Sequence, residues 1–98
     1  MNKSTYIVLA QVSVKAEYLD EVKALCAAAL EPTLMEPGCD VFYQTVKQDD
    51  PTTLVFFEVF ASKEAFDLHM KASYTQAFFA GLQGKLAGKP VSTLLQTL

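Results

Sequence analysis

Residues 53–69 read TLVFFEVFASKEAFDLH, and two kinds of pattern meet in them. Thr53 to Ala61 are mostly β-branched and aromatic, the composition of a strand. Ser62 is a candidate N-cap, Glu64 suits a first helical turn, and Phe66 and His69 share one helical stripe. The stretch therefore predicts a strand over 53–61 that hands over to a helix over 63–71. Leu54, Phe56 and Phe60 fall on one face of the strand, Val55, Phe57 and Val59 on the other. A sheet wetted on one side alternates apolar with polar residues, and this strand does not. Both of its faces need cover.

Working backwards, Gln48-Asp49-Asp50-Pro51 is a turn, and residues 39–47, CDVFYQTVK, form the preceding strand of a hairpin. Glu36-Pro37-Gly38 is a stop signal for a helix over 16–36, in which Leu19, Val22, Cys26, Ala29 and Leu30 recur at helical spacing. Pro32 is expected to kink that helix or end its regular part. Residues 6–14, YIVLAQVSV, alternate as a strand. Tyr6, Val8, Ala10, Val12 and Val14 share one face, and Ile7, Leu9, Gln11 and Ser13 the other. Working forwards, a second helical piece over 73–86 carries Tyr74, Phe78 and Leu82 on one stripe. A last strand spans 90–97, with Pro90 first, where proline is tolerated. The order β-α-β-β-α-β is that of a single α+β domain over 1–98. It is a ferredoxin-like four-stranded antiparallel sheet with helices on one face. The chain has no spare segment for the other face, so a symmetric homodimer with sheets packed face to face is expected.

Composition narrows the partners. The net charge is −3, and all the basic residues are lysines, scattered along the chain. Arginine is the usual bidentate reader of phosphates and guanine edges, so neither nucleic acid nor an anionic membrane surface is an expected partner. No apolar run reaches the length of a membrane span. The N-terminal segment shows no signal-peptide cleavage pattern, which makes the Asn2-Lys3-Ser4 sequon a chance match. Two cysteines, Cys26 in the first helix and Cys39 at the start of the next strand, are separated by about ten helical residues, roughly 15 Å. That is beyond disulfide reach, and a reducing cytoplasm is the expected compartment. With one histidine and no Cys-x-x-Cys, no metal-ligand spacing stands out. The glycines of GLQGKLAGK fit neither a dinucleotide fingerprint nor a phosphate-binding loop, so no cofactor is expected.

The candidate functional residues are polar side chains on apolar faces. His69 is either a hydrogen-bonded core residue or a working base. Glu58 is either one half of a salt bridge or the carboxylate that orients an imidazole. Gln11 interrupts the Ile7–Leu9 face. Tyr74, five residues past His69, shares its face only if the helix breaks near Ala72-Ser73. Phe42, Phe56, Phe78 and Phe79 either fill the core or line a cavity. Such a set suits a flat apolar ligand with a polar handle, since imidazole changes charge near neutral pH.

These stretches resemble the antibiotic biosynthesis monooxygenase (ABM) domain family, whose members include cofactor-independent quinol monooxygenases. The likeness covers nearly the whole chain. It is carried by Glu36-Pro37-Gly38-Cys39, by Asp50-Pro51, and above all by the run from Glu58 to His69. That run is similar to the family's Glu-x-Trp/Tyr-x-Ser-x-Glu-Ala-aliphatic-x-x-His. The resemblance implies a homodimer whose sheets form a barrel, and a cavity between helices and sheet into which the helix histidine reaches. Position 60 is Phe where the family often has Trp or Tyr. QAFFAGLQ, residues 76–83, lacks the extra histidine of haem-degrading relatives, so haem degradation is not expected. The expected activity is oxidation of a small quinol-like aromatic by O2. His69 would be the base and Glu58 its electrostatic support. Tyr74 or Gln11 would bond the substrate, and Phe42, Phe56 and Phe78 would line the cavity. The alternatives are a proton-shuttling isomerase of a small carbonyl compound, and a non-catalytic ligand-binding or stress-response module.

Overall fold

The alternating segments pair as four antiparallel strands: β1 (Tyr6–Ser13), β2 (Cys39–Lys47), β3 (Asp50–Phe60) and β4 (Val91–Leu95), in the order β2-β3-β1-β4. Among the described residues three α-helices, α1 (Leu19–Leu34), α2 (Lys63–Lys71) and α3 (Ser73–Gly81), and a 3-10 turn at Ala16–Tyr18 complete the fold. The computed structural model describes residues 4–98, so Asn2 and Lys3 of the sequon lie outside the described residues. The arrangement is the ferredoxin-like α+β fold.

Register decides which residues look at the helices. Glu58 pairs with Val8 on one side and with Phe42 on the other. These even-numbered positions, with Val12, Val14, Leu54 and Phe56, share the face that packs on Val22 and Cys26 of α1 and on Leu82. The odd-numbered face holds Ile7, Leu9, Val55, Phe57 and Val59. Ile7 and Val59 are buried, whereas Tyr43, Val91 and Leu95 on the same face are exposed.

Several boundaries differ from the sequence reading, most for a local reason. The helix runs on past Pro32 to Leu34. The last turn is held by the Thr33 hydroxyl, which donates to the Ala29 carbonyl at 2.7 Å, and by the Met35 N–H, which donates to Glu31 O at 3.1 Å. α3 stops at Gly81 rather than 86. Gly84 adopts φ 78°, which favours glycine, and the backbone of 85–87 then pairs with the end of β1. The hairpin turn is shorter than 48–51. Asp50 is already in β3, where its carboxylate accepts from Thr52 N–H and from the hydroxyls of Thr52 and Thr53. β4 is likewise shorter than the 90–97 expected.

The N-terminus of α2 has a built cap, the Ser62 hydroxyl accepting from Ala65 N–H at 3.1 Å. Ser62→Ala is expected to cost about 1 kcal/mol. Urea unfolding measures it, and an unchanged midpoint would show that the cap contributes nothing.

Candidate active site

Two backbone features bring the site together. Ala72, at ψ 144°, interrupts the helix between α2 and α3. Without that break, Tyr74 would point away from His69. The loop after α1 comes so close to α2 that a Cβ on Gly38 would meet the Ala65 Cβ at 2.5 Å. Only glycine permits that approach, and it sets Glu36 beside the C-terminal half of α2.

His69 is 6% exposed. The Phe60, Phe42 and Phe66 rings surround it at centroid distances of 5.0, 5.7 and 6.3 Å. Its Nδ1 lies 2.8 Å from Glu36 Oε2, and the Thr75 hydroxyl is 3.5 Å from the same nitrogen. The Tyr74 hydroxyl donates to the same Glu36 oxygen. An ionised carboxylate only accepts, so Nδ1 carries the hydrogen and the lone pair of the neutral ring sits on Nε2. Burial first, and the Glu36 contact second, push the Tyr74 phenol up to about 12, so it stays a donor.

The sheet and all three helices enclose a cavity of about 190 Å³. Phe42, Phe56, Phe78, Glu58 and His69 are in its wall. Among the described residues, no sealed side-chain nitrogen or oxygen lacks a hydrogen-bond partner. Neither His69 Nε2 nor the Glu58 carboxylate has a partner among the described residues, so both are open to the cavity. Glu58 is 8% exposed, and burial, followed by the charge of Glu36, pushes its carboxyl up to about 7. Among the described residues no group of three or more His, Cys, Asp or Glu side chains could hold a metal ion, and no helix is long and apolar enough to cross a membrane. Both cysteines are free thiols.

Set against the sequence reading, the histidine, Glu58 and the three phenylalanines converge on one chamber. Phe42 and Phe56 serve at once as core and as wall. Gln11 pairs with Val55 on the opposite sheet face, away from the cavity. Tyr74 spends its proton on Glu36, and the carboxylate on His69 is Glu36 rather than Glu58. In the sequence Glu36 marks a helix stop and carries part of the family resemblance, with no sign of a contact to His69. No spacing rule links it to a histidine 33 positions on, and its one sequence-level mark was its place in the Glu-Pro-Gly-Cys run.

The fold and the chamber define a ferredoxin-like α+β protein with a histidine–carboxylate pair in an apolar cavity between sheet and helices. The chain belongs to the antibiotic biosynthesis monooxygenase family, which it matches over residues 5–81. It is similar to the crystal structure of an antibiotic biosynthesis monooxygenase, at 26% identity and TM-score 0.91, covering 95% of this chain and 98% of that one. It is equally similar to Rv0793 from Mycobacterium tuberculosis, at 26% identity and TM-score 0.91, covering 97% and 96%. A protein from Nitrosomonas europaea shares the fold at 19% identity, with TM-score 0.93 over 100% of this chain and 94% of that one. Among curated proteins, the uncharacterized protein sll1783 of Synechocystis is 29% identical over 72 residues, 74% of this chain. The chain spans about half the length of that relative.

Proposed function

We propose that the protein is a cofactor-independent monooxygenase that oxidises a quinol or a similar polyphenol with O2. The observation that supports this best is the polarity of His69: Nδ1 tied to Glu36, Nε2 open to an apolar chamber. A phenol entering the chamber gives its proton to Nε2. The imidazolium that results lies against the Glu36 carboxylate, which stabilises the charge as it forms. The phenolate left behind is electron-rich and can reduce O2 itself. A C–O bond forms at a ring carbon, giving a hydroperoxide. Loss of water, with departure of the ring hydrogen as a proton, leaves a carbonyl. One oxygen atom stays on the ring and the other becomes water. The chamber's part is to exclude bulk water and to orient the ring.

The test is oxygen uptake by purified protein with hydroquinones and naphthoquinols and no added cofactor. Uptake above the spontaneous rate is expected, and none above it would end the reading.

The same reading includes a homodimer. A half-exposed sheet face holding Leu9, Val55 and Phe57 is of the kind that a second copy covers, and a stable interface takes roughly 800 Å² from each partner. Light scattering at micromolar concentration is expected to give twice the mass of one chain, and a single-chain mass would refute it.

A further inference from the structure

Glu36 accepts from His69 Nδ1 and from the Tyr74 hydroxyl, whereas the Glu58 carboxyl stands in the chamber with nothing attached to it. It is more than nine-tenths buried, and no described residue gives it a hydrogen bond or an ion pair. Its position is nonetheless well defined, between Val8 and Phe42 in the middle of the sheet. A carboxyl this deep without a protein partner is costly, and its accessible oxygens face the chamber, where a ligand can complete them.

The groups around it restrict what that ligand can be. Glu36 from the end of α1 adds negative charge, His69 faces the chamber from α2, and the Tyr74 proton on α3 is committed to Glu36. Among the described residues no lysine lines the wall. A ligand anion would therefore enter an apolar space beside two carboxylic groups with only the imidazole to oppose them. An uncharged hydroxyl meets no such penalty, because it can donate to a carboxylate and accept from a carboxylic acid. The chamber is large enough for a ring system somewhat bigger than benzene, which fits an engineered cavity of about 150 Å³.

We propose that Glu58 is a second polar anchor of the chamber, holding an uncharged hydroxyl or carbonyl other than the one that meets His69, so that the site takes aromatic ligands with two neutral polar substituents and refuses anionic ones. The inference deepens the proposed function by naming the substrate class. It rests on an aromatic ligand occupying the chamber and not on the chemistry with O2.

The test is anaerobic calorimetry at pH 7 with naphthalene-2,6-diol, 2-naphthol and 6-hydroxy-2-naphthoate. The wild type is expected to bind the diol about tenfold or more tighter than either of the others. Glu58→Leu is expected to bring the diol and 2-naphthol to the same affinity. Glu58→Gln, which keeps hydrogen-bonding capacity and removes the charge, is expected to keep the diol preference and to weaken the discrimination against the naphthoate. The proposal is overturned by a diol preference that survives in Glu58→Leu, by a naphthoate that binds the wild type as well as the diol, or by no binding of any of the three. Binding as expected without oxygen uptake would retire the monooxygenase reading and leave the anchor standing. Uptake with a flat binding pattern would do the reverse.

Discussion

His69→Ala is expected to lower turnover of a quinol by about two orders of magnitude or more, the usual contribution of a positioned general base. The substitution removes the only imidazole in the chain. The titratable side chains near it cannot replace it. Tyr74 holds its proton to about 12, and its hydroxyl is turned to Glu36. Glu58, its carboxyl pushed up to about 7, also stands in the wall, but it projects from the sheet, whereas Nε2 reaches in from α2. Circular dichroism of the variant separates lost chemistry from lost fold. Turnover at the wild-type rate would remove His69 from the mechanism and return it to the core, among the Phe60, Phe42 and Phe66 rings.

The second large effect is on stability and depends on pH. The Glu58 carboxyl ionises at about 7 in the folded chain against 4.5 as a free group. Between those values the folded state holds the proton more tightly than the unfolded state does. Stability from this group is therefore complete below about 4.5 and is lost as pH rises through 7. The difference corresponds to about 3 kcal/mol, as an order of magnitude. Glu58→Gln cannot ionise, so its stability should be nearly level across that window and should exceed the wild type's at pH 8. Urea unfolding at a series of pH values measures both curves. Parallel curves would show that the buried carboxyl is solvated or paired in solution.

The two effects bear on how much of this molecule its residues disclose. Strand alternation, the Ser62 cap and the Glu36-Pro37-Gly38 stop are local signals, and they led directly to the β-α-β-β-α-β order. Face assignment is not local. Within a strand, parity says which residues share a face, but only the pairing of Val8 with Glu58 and of Gln11 with Val55 shows that Glu58 and Gln11 look in opposite directions. Gln11 was thus a reasonable candidate by composition and a misplaced one by register. Glu36 was missed for a related reason. Its role depends on a loop closing against α2, a contact between residues far apart in the chain. Tyr74 was recognisable on the condition of a helix break, and Ala72 supplies that break.

The contact between Gly38 and Ala65 also bears on how such a protein can change over time. It leaves no room for one added methyl group, and it is the contact that holds Glu36 to His69. A side chain at position 38 therefore pushes the loop that carries Glu36 away from α2. Phe79, at the rim of the chamber and 41% exposed, carries no such obligation. The rim can be reshaped while the close contact of Gly38 with Ala65 behind it stays as it is. The loop is the constrained side of the chamber, and the mouth is the free one.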